Sequence, residues 1–222
     1  MTTVQSQMRE PTREEISREE MLAALEKRQG CDAVRKLQAA TVAVCGLGGL
    51  GSNIAISLAR AGVGKLILID FDRVDVTNLH RQQYKACQVG MPKPEAFLAN
   101  LNEIAPYTEY ETHFEKVTAE NAEALLGKAD VICEAFDNAE AKAMLVNTVL
   151  ENMPEKFLVA ASGMAGYDSG NSITTRKVTK RFYFCGDGKS DVNDGIGLVA
   201  PRVMLCAAHQ ALTVIRLILG LE

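Results

Sequence analysis

The chain has 222 residues, 47% of them apolar and 23% charged, with a formal net charge of −4 at pH 7. That length suffices for one α/β domain with a sizeable buried core, and the acidic balance gives no overall electrostatic footprint for nucleic acid. The opening MTTVQSQMREPTREE lacks the basic-then-apolar build of a signal peptide, and the apolar run at 198–221 is broken by Arg202, His209, Gln210 and Arg216, so the expectation is a cytoplasmic protein with no membrane span.

Residues 1–30 predict a helical arm. Within it, 12–28 place Ile16, Met21, Leu22 and Leu25 on one stripe, facing either the domain or a second subunit. Residues 31–222 predict a single domain, with no repeat, low-complexity tract or linker. From residue 41 the pattern alternates. TVAVCG is a strand and GGLGSNIAISLARAG a helix, then KLILID a strand and PKPEAFLANLNEIAP a helix with prolines in its first turn. TEYETHF is a weaker strand, TAENAEALLG a helix capped by Thr118, and DVICEAFD a third apolar strand. NAEAKAMLVNTVLEN is the next helix and KFLVAASG a fourth apolar strand. Strand–helix alternation of this kind predicts a Rossmann-like, doubly wound α/β fold with a mostly parallel sheet. NSITTRKV and RFYFCG predict an antiparallel extension, DGKSDVNDGIG a mobile polar loop, and PRVMLCAAHQALTVIRLILG a closing buried helix.

The six cysteines, at 31, 45, 87, 133, 185 and 206, form no CxxC pair, so no structural zinc is expected. Cys45 and Cys133 lie in apolar strands and read as small core residues.

The sharpest motif is Gly46-Leu-Gly48-Gly49-Leu-Gly51 between a strand and a helix. Glycines let the backbone turn tightly and approach phosphate oxygens, and the helix start offers free N–H groups to an anion. Asp70 follows at the end of the second strand, where a carboxylate can accept from ribose hydroxyls. A dehydrogenase needs little more. This chain adds Asp72, Asn78, Arg81 and Gln82, then Lys93 before a helix, a density of polar groups suited to a nucleotide with a triphosphate. Asp137, at the end of the third apolar strand, is placed either to hold a metal above the sheet or to cap the following helix.

The string GLGGLGSNIAISLARAGVGKLILIDFDRVDVTNLHRQ, with VGMPKPEAFLANLNEIAP and EAFDNAEAKAMLVNTVLE downstream, resembles the ThiF/MoeB/HesA group and the adenylation domain of ubiquitin-activating enzymes. The likeness is strongest to the short, zinc-less family 2 ThiF-like proteins of thiamine thiazole synthesis, and runs from Leu37 to Gly220. It implies an ATP- and Mg2+-dependent adenylyltransferase that activates the C-terminal glycine carboxylate of a ubiquitin-like, ThiS-like sulfur carrier, and it implies a homodimer. The family's roles fall on matched positions: Gly46, Gly48, Gly49 and Gly51 cradle ATP with Gly49 nearest, and Asp70 holds the ribose. Asp72, Asn78, Arg81, Gln82, Lys93 and Asn138 complete the nucleotide site; Arg81, Lys93 and Asp137 are catalytic, with Asp137 the magnesium ligand. Members with zinc carry CxxC pairs that are absent here. Many also supply an N-terminal arginine across the dimer; Arg9, Arg13, Arg18 and Arg28 are available, and Arg28 is the choice. A downstream sulfur-carrying cysteine has one candidate, Cys185, against the alternative of an inert strand-end thiol. His80, His113 and His209 show no ligand spacing and take no role.

Three rivals stand beside this reading. The related tRNA-modifying dehydratases also activate a carboxylate with ATP, but are longer and carry a basic surface. A non-catalytic regulatory module would lack the phosphate-handling residues, and a plain NAD(P) dehydrogenase leaves Asn78, Arg81, Lys93 and Asp137 unexplained.

Overall fold

The computed structural model describes residues 16–190, 195 and 197–222. Two helices, α1 (Arg18–Gln29) and α2 (Cys31–Ala39), precede alternating strands and helices: β1 (Thr41–Cys45), α3 (Gly49–Ala61), β2 (Lys65–Ile69), α4 (Lys93–Ile104), β3 (Glu109–His113), α5 (Ala122–Leu126), β4 (Val131–Glu134), α6 (Ala139–Asn152) and β5 (Phe157–Ala161). β6 (Thr174–Lys177), β7 (Phe182–Gly186) and α7 (Ala200–Leu219) complete the chain. The strands form one seven-stranded sheet in the order β3-β2-β1-β4-β5-β7-β6. The order reverses at β1, which pairs with both β2 and β4. In a doubly wound sheet, ligands bind above that switch point.

Both sheet faces are covered, so the inner strands are apolar without interruption and feed two cores by alternation. Val42, Val44, Leu66, Leu68 and Cys133 point to the side of α2, α3, α4 and α7. Ala43, Cys45, Ile67, Ile69 and Ile132 point to the side of α5 and α6. Each fully buried Val, Leu or Ile contributes ~1.5–3 kcal/mol. The edge strands β3 (EYETH) and β6 (TTRK) are polar, which protects an exposed edge from pairing with other chains.

The structure refines several expectations. α1 begins at Arg18, and residues 1–15 of the expected arm, including 12–15 of its helix, lie outside the described residues. Met21, Leu22 and Leu25 are half-buried while Ile16 is exposed, and Gln29 Nε2 donates to the Ala61 carbonyl at 3.2 Å, fixing α1 to the end of α3 away from the nucleotide loop. α2, buried through Val34 and Leu37, was not foreseen as an element. α5 starts at Ala122 with Asn121 before it; Thr118 does not cap it, and its N–H is bound by Asn121 Oδ1 at 2.7 Å. The expected antiparallel extension is the β6–β7 pair; among the described strands β6 alone runs antiparallel, since β7 joins β5 in parallel. Of the loop expected to be mobile, 191–194 and 196 lie outside the described residues. Asp187 within it bonds Arg202 Nη2 at 2.5 Å. α7 is long and apolar enough to cross a membrane by composition, and half of it is buried, through Val203, Cys206, Gln210 and Val214 among others.

Candidate nucleotide site

The turn after β1 is a close-packed glycine structure. Gly46 has φ +92°, and a Cβ there would meet the Ala135 carbonyl oxygen at 2.8 Å. A Cβ on Gly51 would lie 1.7 Å from the Gly46 carbonyl oxygen, so α3 enters directly over the loop only without one. Gly49 is tight against Val203, whereas the nearest atom to a Cβ on Gly48 is Gln82 Nε2 at 3.7 Å. No side chain among the described residues caps α3, so its first-turn N–H groups are open to an anion.

Asp70 holds this loop in place. Its two carboxylate oxygens accept from the backbone N–H groups of Leu47 at 2.6 Å and Asp72 at 2.8 Å. Burial pushes its pKa up, and Lys93 opposes that shift. Lys93, 5% exposed at the start of α4, donates to Asp72 Oδ2 at 2.9 Å and lies 3.9 Å from Asp70 Oδ2.

Arg81 is half-buried and has no carboxylate within ion-pair distance among the described residues; its Nη1 donates to the Thr77 carbonyl at 3.2 Å. Burial lowers its pKa, and nearby Asp137 raises it. Gln82 is buried with its Oε1 unpartnered among the described residues, an acceptor that a ligand donor would satisfy.

These groups line one cleft of ≈ 560 Å³ at the carboxyl ends of the strands, where Gly46, Gly48, Gly49, Asp70, Asp72, Arg81, Gln82, Lys93, Asp137 and Asn138 converge. Two expected residues stand apart from its lining. Gly51 lies beneath the loop, and Asn78 sits in a 3-10 turn whose carbonyl accepts from the N–H groups of Arg81 and Gln82 at 3.1 and 3.0 Å. Asn78 therefore supports the two residues that do face the cleft. The helix cap that was the alternative role for Asp137 belongs to Asn138, whose Oδ1 accepts from the Ala141 N–H at 2.9 Å. Asp137 is exposed on the cleft rim with no hydrogen bond among the described residues.

The model of the ThiF family matches residues 18–222. The chain belongs to the ThiF family. Adenylyltransferase and sulfurtransferase MOCS3 of Anopheles gambiae is 32% identical over 206 residues, covering 87% of this chain and 44% of that protein. Adenylyltransferase and sulfurtransferase UBA4 of Lodderomyces elongisporus is 31% identical over 196 residues, covering 85% and 42%. The ThiF-family chain thus spans less than half the length of these curated relatives. Among solved structures, E. coli tRNA N6-threonylcarbamoyladenosine dehydratase TcdA in complex with ATP has a TM-score of 0.83 at 22% identity, covering 92% of this chain and 97% of that one. E. coli MccB with ATP has a TM-score of 0.68 at 23% identity, covering 87% and 59%. The fold is theirs.

Several cleft residues carry no sequence signal of their own. Phe71, Lys116, Phe136, Lys142, Ser162 and Val203 reach the cleft from six separate segments. Lys116 stands 6.0 Å from the centroid of the Phe71 ring, a cation–π contact at the rim. Cys185 is fully buried, and burial pushes its thiol pKa up, against the thiolate that sulfur transfer needs. Arg28 lies in the last turn of α1, at the end of the sheet remote from its own chain's cleft; Arg9 and Arg13 lie outside the described residues.

Proposed function

We propose that this ThiF-family chain is an ATP-dependent adenylyltransferase that activates the C-terminal glycine carboxylate of a ubiquitin-like, ThiS-like sulfur carrier, as in thiamine thiazole synthesis, and works as a homodimer. The observation that carries the reading is a glycine-loop helix start in one cleft with a half-buried Arg81 and an Asp137 that, among the described residues, have no ion-pair partner and no hydrogen bond respectively. The TcdA and MccB structures named with ATP, and relatives named adenylyltransferases, support the choice of nucleotide and reaction.

Both reactants are anions, so the site must offset their repulsion and hold them in line. The acceptor carboxylate attacks the α-phosphorus, pyrophosphate leaves, and an acyl-adenylate remains. The open amides of α3 and the Arg81 guanidinium take the phosphates, with Arg81 at the charge that develops on the α-phosphoryl group. Lys93 contributes positive charge from the paired Asp72 side of the cleft. Asp70 sets the loop and presents its remaining lone pairs to the ribose. Asp137 fits a magnesium ligand because it is an accessible carboxylate not spent on a cap; the ion would neutralise phosphate charge. ATP–pyrophosphate exchange with a Gly-Gly-ending carrier tests the reading. Absence of exchange with every carrier of the same organism, together with undetectable nucleotide binding, defeats it.

One observation favours a second reading, a tRNA-modifying dehydratase. The 97% coverage of TcdA removes length as a distinction, and the β6–β7 edge is locally basic. Arg176, Lys177 and Arg181 stand over Phe184, Tyr183 and Phe157 at 5.8, 5.2 and 4.7 Å. Salt-sensitive binding of modified tRNA, without carrier-dependent exchange, would select it.

A further inference from the structure

Glu134 closes β4 and is fully buried. Lys142 Nζ donates to both of its carboxylate oxygens at 3.0 Å, and the Phe136 N–H donates to Oε1 at 2.7 Å. The third Lys142 donor goes to the Ala161 carbonyl at 3.0 Å. From α7, Gln210 Nε2 donates to the Glu134 carbonyl at 3.0 Å. One ion pair thus ties the carboxyl ends of β4 and β5 to the first turns of α6, with α7 braced on the same strand end.

The four residues between Glu134 and α6 are cleft wall. The Ala135 carbonyl abuts Gly46, Phe136 and Asp137 line the cleft, and Asn138 caps the helix. Asp137 makes no side-chain hydrogen bond among the described residues, so the backbone on either side sets its position, and the Glu134–Lys142 pair holds that backbone. Packing alone does not call for this arrangement: two charges lose their hydration, and an apolar pair of similar volume is often as stable. Burial does push the Glu134 pKa up, with Lys142 opposing it.

We propose that the Glu134–Lys142 pair is a positioning device that aims the Asp137 carboxylate at the metal–nucleotide complex, making Lys142 a positioning residue for adenylyl transfer. The inference rests on the function proposed above and extends it to a lysine on the cleft wall whose three donors are all taken by protein acceptors.

The test uses the full chain and calorimetric titration of ATP with and without Mg2+, which needs no carrier. Lys142→Met and the double variant Glu134→Gln/Lys142→Met are expected to lose about tenfold or more of the Mg2+-dependent gain in ATP affinity, the range typical of groups that orient metal ligands. Metal-free ATP affinity should stay within about twofold, and Lys142→Arg should restore the gain, because the guanidinium keeps the charge and several donors. The double variant leaves no unpaired buried charge, so it reports even where Lys142→Met fails to fold. A folded double variant with the full Mg2+-dependent gain overturns the inference. So does a proportional loss with and without metal, which marks mere scaffolding. A wild-type chain that binds no ATP defeats the functional reading and this inference together; Mg2+-dependent ATP binding by the wild type with unaltered variants defeats this inference alone.

Discussion

Asn138 caps α6 through the Ala141 N–H at 2.9 Å, and its neighbour Asp137 is thereby left with its carboxylate free on the cleft rim. Two adjacent side chains divide structure and chemistry between them. Asn138→Ala should cost ~1 kcal/mol of stability, the usual worth of an N-cap. Asp137→Ala should leave the melting temperature unchanged and abolish Mg2+-dependent ATP–pyrophosphate exchange. Thermal melts and exchange rates on both variants check the division; comparable exchange in Asp137→Ala removes that carboxylate from the mechanism.

Gly48 and Gly51 belong to one motif but answer to different constraints. Gly51→Ala puts a methyl group 1.7 Å from the Gly46 carbonyl oxygen, backbone against backbone, and should destabilise the fold by about 3 kcal/mol or more. Gly48→Ala meets nothing closer than 3.7 Å and should fold normally, yet its methyl group faces the cleft and should weaken ATP binding at least ~10-fold. Chemical denaturation separates the first effect, and calorimetric ATP titration the second. A Gly48→Ala chain with native ATP affinity would place the phosphates elsewhere.

Arg81→Ala should lower kcat roughly 100-fold with a much smaller change in ATP affinity, because its proposed partner is charge that appears only in the transition state. The guanidinium has no carboxylate partner among the described residues, so its removal leaves no buried charge behind. An equal loss in binding and turnover would make Arg81 a ground-state phosphate clamp.

The strand–helix alternation and the glycine turn were legible because each depends on local pattern: apolar runs of four residues in β1 and β2 and five in β5, and the Gly46–Gly51 spacing for the loop. Less was legible where tertiary contact decides. Asp70 was expected to serve the ribose, and the structure gives each of its oxygens a backbone N–H as well. Asp137 and Asn138 are equally good caps by composition, and only geometry assigns the cap to Asn138. Glu134 and Lys142, eight residues apart, meet because α6 folds back over the end of β4, and nothing in either residue's neighbourhood announces it. The antiparallel extension was legible as the β6–β7 pair, but not that β7 joins β5 in parallel, which the long excursion between β5 and β7 allows.

Acid should weaken the β2–β3 edge in a defined window. Lys65 and His113 hold Glu111 down to about 2 from the ordinary 4.5. For a carboxylate with a depressed folded-state pKa, the stabilisation is complete above the unfolded value and is lost as pH falls from about 4.5 toward about 2. The group is partly exposed, so the effect is expected below ~1 kcal/mol. Glu111→Gln should melt slightly lower than wild type at neutral pH, with the gap closing through that window. A gap that persists at the acid end assigns the effect to packing.

Thiol accessibility tests the sheet directly and bears on sulfur transfer. Cys31 and Cys87 are exposed, whereas Cys45, Cys133, Cys185 and Cys206 are buried. Burial raises the pKa of all four buried thiols, and pushes Cys206 up to about 12. Thiolates, not thiols, attack disulfide reagents. The native chain should therefore release colour from an aromatic disulfide at Cys31 and Cys87 alone, and from the other four only on unfolding. Cys185→Ser should retain full ATP–pyrophosphate exchange, since Cys185 Sγ meets Thr175 Oγ1 at 3.5 Å inside the sheet rather than facing the cleft. Fast labelling of Cys185 in the folded chain would mean that β7 opens away from β6 and α7, and would return this thiol to the candidates for carrying sulfur.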